Sequence, residues 1–172
     1  MKVLIVVDIQ NDFVDGVLGS KEAVSMIDTA VETINSFDGK VFYTQDTHGE
    51  DYLDTEEGRH LPVVHCIKGS EGWKIHPKIE KALLLKGATG IEKSTFGSEK
   101  LMGIIEKEVP NVESITLIGI CTDICVISNA MLAKAHFQNT PVNVISSACA
   151  GVTPESHENA LTAMKMCHIE IQ

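Results

Sequence analysis

Three groups of residues in this chain have the types and spacing for chemistry. The stretch "GICTDICV" puts Cys121 and Cys125 at the end of an apolar run. Such a pair could share a metal, form a bridge, or divide its roles, with one thiol reacting while the other packs. "KVLIVVDI" carries Asp8 near the end of its apolar run, and "TGIEKS" carries Lys93 in the same way. Aspartate, lysine and cysteine together suit nucleophilic catalysis. The thiolate is the reactive form and an ammonium stabilises it, while a carboxylate can take the thiol proton and later give it to a leaving amine. The third group lies in a polar segment: "DTH" gives Asp46 and His48, "LPVVHC" gives His65, and Glu57 and His60 fall between them. Carboxylate and imidazole ligands of this kind suit zinc, manganese or iron.

Each feature also has a plainer reading. A cysteine is by default a small buried hydrophobe. Asp8 alone reads equally well as a loop acid capping a turn, and a lone lysine is usually solvated. Loops concentrate polar residues in any case. The cysteines Cys66, Cys121, Cys125, Cys149 and Cys167 contain no CxxC pair, which argues against a disulfide framework and a thiol-redox role. The Cys121–Cys125 spacing also makes a poor structural zinc half-site. His76, His136, His157 and His168 have no comparable neighbours and read as surface or capping residues.

Positioning depends on the elements. "KVLIVVDI", "KVFYTQD", "TGIEKS", "SITLIGI" and "VNVISSA" read as strands, with "HIEI" as a last short one. Between them, Ala23, Met26, Ile27, Ala30, Val31 and Ile34 recur at helical spacing. "HPKIEKALL" and "SEKLMGIIEKEV" read as helices, and a further helix is expected from about Asp123 to Phe137. "TPESHENALTAMKM" begins with Thr153 as N-cap and Pro154 at the first helical position. Strands alternating with helices predict a mostly parallel sheet covered on both faces, a three-layer α/β/α sandwich. The segment from Thr47 to Gly72 has no clear period and is too long for a mere connector. In open parallel sheets, sites form beyond the carboxyl ends of the strands. Asp8, Lys93 and Cys125 all fall at such positions, with Cys125 at the start of a helix, where the macrodipole and a nearby lysine would lower its pKa. Backbone N–H groups of that strand-to-helix turn could hold an oxyanion.

The 172 residues fit one domain, residues 1–172, with a formal net charge of -10. That charge argues against nucleic-acid or anionic-membrane partners, which need clustered Lys and Arg. The apolar start is too short to span a bilayer and lacks a signal-peptide cleavage site. The expectation is a cytoplasmic protein, and a homo-oligomer.

In order, "VVDIQNDF", "DTH", "LPVVHC", "EKSTFGS" and "GICTDICV" resemble the signatures of the isochorismatase-like cysteine hydrolases over nearly the whole chain. Within that family they look most like the nicotinamidase/pyrazinamidase group. The resemblance implies the isochorismatase-like hydrolase fold and a catalytic triad of Asp8, Lys93 and Cys125. It also implies oxyanion donation from the backbone amides of Cys121 and Cys125, and a cis Ile120–Cys121 bond. It further implies a divalent metal, zinc with manganese or iron as alternatives, on Asp46, His48 and His65. Glu57 is the preferred fourth ligand and His60 its rival. No organic cofactor is implied. Phe13 matches the aromatic that stacks on the substrate ring. Leu61 and Pro62 stand where the group often has Trp or Phe, and Val63–Val64 make the spacing to His65 one longer than in some members. Isochorismatases proper lack the nucleophilic cysteine, so Cys125 points to C–N hydrolysis. The implied reaction converts a small amide, nicotinamide first, to acid and ammonia through a thioester. The alternatives are another small amide or N-carbamoyl compound, or a non-enzymatic binding protein on the same fold.

Overall fold

The computed structural model describes residues 1–172. Six parallel strands form one sheet in the order β3-β2-β1-β4-β5-β6. They are β1 (Lys2–Val7), β2 (Lys40–Asp46), β3 (Thr89–Lys93), β4 (Ser114–Ile120), β5 (Val142–Ala150) and β6 (Glu170–Ile171). β1 is central: Val3 pairs with Lys40 of β2 on one side and Ile115 of β4 on the other. This explains its unbroken apolar run, since both faces of such a strand are covered. Residues Val3 to Val7 are at most 1 % exposed.

The helices follow the periodicities. α1 (Asn11–Val14) is a single turn, and α2 (Lys21–Ser36) buries Ala23, Met26, Ile27, Ala30 and Ile34. α4 (Pro77–Leu85), α5 (Glu99–Glu108) and α7 (Pro154–Met166) lie where expected. In α7, Thr153 and Ser156 form a reciprocal capping box, which satisfies otherwise orphaned N–H groups. α2 packs on α4, while α5, α6 (Ile127–His136) and α7 pack in series. Right-handed crossovers that reverse direction at β1 put these two groups on opposite faces.

Two segments depart from the expected elements. Thr47–Gly72 contains a short 3₁₀ turn (Tyr52–Asp54) and α3 (Glu56–His60). A five-residue helix has too few turns to show a period. It is held by the Thr55 cap and by Tyr52, whose buried ring donates its hydroxyl to Leu61 O at 2.8 Å. Gly58 permits this packing, because a Cβ there would lie 2.0 Å from Tyr52 O. The second departure lies after β4. The expected α-helix from Asp123 begins instead with a wider π-helical turn, Thr122–Val126, before α6. Cys121 O accepts from both Ile124 N and Val126 N, at 3.1 and 3.0 Å. Cys125 therefore sits inside a π turn, not in the first turn of a regular α-helix. Gly119 precedes it at φ +134°, and a Cβ there would meet Val7 O at 2.1 Å. Only glycine lets β4 run this close to β1.

No helix is long and apolar enough to cross a membrane. All five cysteines are free thiols. Cys167 is exposed, contrary to the buried default, because it lies beyond the last buried turn of α7.

Candidate active site

The strand order changes direction between β1 and β4, the position where open α/β sheets form their crevice. Asp8 leaves β1 there, and the Cys121–Cys125 turn leaves β4 beside it. Lys93 reaches in from the end of β3.

Asp8 is fully buried, with φ +48°. Its Oδ1 accepts from Thr44 Oγ1 at 2.7 Å. Its Oδ2 forms a 2.6 Å ion pair with Lys93 Nζ and has no other polar partner. Lys93 Nζ is also 3.4 Å from Asp46 Oδ1 and 3.7 Å from Cys125 Sγ. Lys93 is therefore a buried, ion-paired lysine and not the solvated one that base rates favour. Burial pulls its pKa down, but the charges of Asp8, Cys125 and Asp46 outweigh this and hold it raised.

Burial pushes Asp8 above the ordinary carboxylate range, with Lys93 opposing. Burial also holds the Cys125 thiol well above its usual range; Asp8 adds to this and Lys93 counters it. The expectation of a lowered thiol pKa is corrected on this point, because desolvation outweighs the lysine. Burial thus favours the protonated form of both groups in the resting site. Lys93→Ala removes the opposing charge. Alkylation of Cys125, followed by peptide mapping, is expected to slow by about tenfold or more at neutral pH. An unchanged rate would show that the ammonium does not influence the thiol.

The second cluster adjoins the first through Asp46. Its Oδ2 lies 2.8 Å from His48 Nε2 and 3.7 Å from His65 Nε2. Glu57 Oε1 is 3.7 Å from each imidazole Nε2. Four donors so placed fit a divalent metal, since tetrahedral ligands about 2.1 Å from zinc are separated by about 3.4 Å. For His65 and Asp46 the donor states fit as well, whereas burial raises Glu57, and for His48 burial is outweighed by the Asp46 hydrogen bond, which raises it. His65 Nδ1 lies 2.7 Å from Val63 O, a contact that leaves Nε2 with its lone pair. Burial raises Asp46, but the His48 hydrogen bond and Lys93 outweigh it and keep the carboxyl below its ordinary range, hence ionised. Glu57 and His60 share α3 but face differently. The Glu57 side chain is 20 % exposed and turned inward, whereas His60 is 77 % exposed with Nδ1 3.0 Å from Glu56 O. His60 thus falls outside the donor cluster, although it lines the same cavity.

Both clusters border a cavity of about 780 Å³. Phe13, Leu61, Phe96, Cys121 and Cys125 line it, and among its charged lining residues are Asp46, Glu56 and Glu57 but no Lys or Arg. The Phe13 ring lies 5.4 Å from that of His65. Cys121 N–H donates to no backbone carbonyl, and the Ile120–Cys121 bond is cis.

Several supporting residues are not apparent from the motifs. Gln10 clamps Asp46: its Nε2 donates to Asp46 O and Trp73 O, both at 2.8 Å, and its Oε1 accepts from Asp46 N at 2.7 Å. Its signal was a polar side chain two residues beyond Asp8, directly after the buried Ile9. Asn129 donates to Cys125 O at 2.8 Å and accepts from Ser98 N at 3.0 Å. His157 is not simply a surface or capping residue, since its Nδ1 lies 2.8 Å from the buried Thr122 Oγ1. Phe96, beyond Lys93, offers an aromatic that the Leu61 position lacks.

A fold of this topology with both clusters at its switch point defines a class of α/β hydrolase, and the comparisons place the chain within it. The Isochorismatase domain model matches residues 2–171, and the chain belongs to that family. It is 27 % identical to the nicotinamidase/pyrazinamidase of Mycobacterium tuberculosis, over 99 % of this chain and 98 % of that one. It is 31 % identical to an isochorismatase family protein of Bacillus subtilis, over 94 % and 92 %. Among solved structures, the pyrazinamidase of Pyrococcus horikoshii in complex with zinc superposes with a TM-score of 0.82, at 26 % identity over 99 % of this chain and 98 % of that chain.

Proposed function

We propose that the protein hydrolyses nicotinamide to nicotinate and ammonia, with Cys125 as nucleophile. Its family and its nicotinamidase relatives make it a hydrolase acting on amides. The observation that carries the finer reading is the convergence of an Asp–Lys–Cys cluster and a two-imidazole, two-carboxylate cluster on one cavity.

The steps follow from the groups present. Asp8 takes the thiol proton as Cys125 Sγ bonds to the amide carbon. The carbonyl electron pair moves onto oxygen, where the Cys121 and Cys125 N–H groups receive it. Collapse breaks the C–N bond, and Asp8 gives its proton to the departing nitrogen, releasing ammonia. Water then adds to the thioester, losing a proton to Asp8; the C–S bond breaks, Asp8 returns that proton to Cys125 Sγ, and the acid departs. Lys93 holds Asp8 in place and balances the charge that moves between carboxylate and sulfur. Asp46, His48, Glu57 and His65 would hold the divalent metal, zinc by analogy with the horikoshii relative. When bound, it supplies an acceptor for a ring nitrogen and so places the amide carbon, a positioning effect. Phe13 and Phe96 offer ring contacts.

A second reading is another small neutral amide, favoured by Leu61 where an aromatic is common in the group. The wall carries Asp46, Glu56 and Glu57 but no Lys or Arg, which argues against N-carbamoyl compounds whose carboxylate does not reach the metal position, because that charge would enter unpaired. Ammonia release from a panel of amides, with metal analysis of the same sample, tests both readings. Nicotinamide is expected to lead the panel, and carboxylate-bearing amides to fall at least about a hundredfold below it in kcat/KM. Equal turnover of anionic amides would overturn the charge argument. A metal-free protein that turns over only aliphatic amides would favour the second reading.

A further inference from the structure

We infer that His157 is a positioning residue for the oxyanion-binding turn and acts through Thr122. The inference rests on the function proposed above. Cys121 N–H has no backbone acceptor, so it is free for substrate, but no bond of its own fixes its direction. That direction depends on how the following residues are anchored. Thr122, next in the chain, is 0 % exposed, and its hydroxyl meets His157 Nδ1 at 2.8 Å. A buried hydroxyl without a partner is costly, so this contact defines where the residue sits. Asp123 is anchored to the same region, since both its carboxylate oxygens lie 3.2 Å from Val152 N. Two successive residues of the turn are therefore tied to the β5–α7 connection and the first turn of α7.

That support is itself rigid. The capping box of Thr153 and Ser156 fixes the start of α7, and Pro154 sets its first turn. Gly151 lets the helix close onto the end of β5, as a Cβ there would sit 2.9 Å from His157 Cβ. His157 thus sets the turn from a braced helix without touching the substrate. Its contribution falls on the transition state, because the amide carbonyl needs less from the N–H than the oxyanion does.

Thr122→Val keeps the volume and removes the hydroxyl. It is expected to lower kcat for nicotinamide by about tenfold to a hundredfold, with KM changed by no more than about twofold. Pyridine-3-carbaldehyde forms a tetrahedral adduct by adding the Cys125 thiol across its carbonyl, the thiol proton ending on oxygen. Its inhibition should weaken in parallel with kcat. His157→Leu should reproduce both effects, and carries the test if Thr122→Val does not fold. Thr122→Ser and His157→Asn retain a polar atom at the contact and should keep kcat within about threefold. A folded Thr122→Val or His157→Leu with unchanged kcat and aldehyde affinity overturns the inference. So does an equal kcat loss in the conservative and disruptive variants. Wild-type protein that neither releases ammonia from nicotinamide nor binds the aldehyde overturns the functional reading itself, and the inference with it.

Discussion

Replacing Cys125 with alanine is expected to lower nicotinamide turnover by at least about 10⁴-fold, the scale on which enzymes lose activity without their nucleophile. Cys121→Ala should stay within about tenfold of wild type, because only its backbone N–H is given a role. The two thiols lie on one turn and share the cavity wall, so the contrast is demanding. They differ in surroundings. Cys125 Sγ has Lys93 Nζ at 3.7 Å. Burial raises both thiols, Cys121 up to about 12 with the charge of Asp123 adding to it, so the contrast rests on the ammonium beside Cys125. Ammonia release read beside thermal melting separates catalytic loss from unfolding. Equal loss in both folded variants would contradict the assignment.

Removing His65 is expected to have the next largest effect. It is oriented by Val63 O and sits 3.7 Å from both carboxylates of the cluster. His65→Ala should lower divalent-metal affinity by about a hundredfold or more, beyond the 10–100-fold typical of outer-shell changes. Metal content after dialysis reads this directly. KM for nicotinamide should rise much more than KM for a simple aliphatic amide, which has no ring nitrogen to place. If dialysed wild-type protein holds no metal, and added zinc, manganese or iron changes neither KM, the four donors are only a polar cluster.

Much of the fold was legible, and for a physical reason. Strands buried on both faces must be apolar throughout, as "KVLIVV" and "SITLIGI" are, and a 16-residue helix such as α2 has room to show its period. The ends of β1 and β3 located Asp8 and Lys93, because parallel strands present their carboxyl ends at one edge. The polar segment from Thr47 was legible only as donors without a frame. Its helix is five residues long and is held by Tyr52, a contact between side chain and loop that no period reports. The π turn was missed because a regular helix and a widened one bury similar residues. The thiol pKa was misjudged because lysine and helix end can be read from sequence, whereas complete burial cannot. Gln10 and His157 escaped notice because their partners, Asp46 and Thr122, are 36 and 35 residues away.

The account turns on whether Cys125 carries the acyl group of nicotinamide. Acid quenching during turnover, followed by peptide mapping by mass spectrometry, measures this directly. The account predicts a nicotinoyl thioester on the peptide containing Cys125, which disappears as nicotinate and ammonia accumulate in equal amounts. Turnover with the acyl group on another residue, or no release of ammonia from nicotinamide by folded, metal-supplied protein, would contradict it.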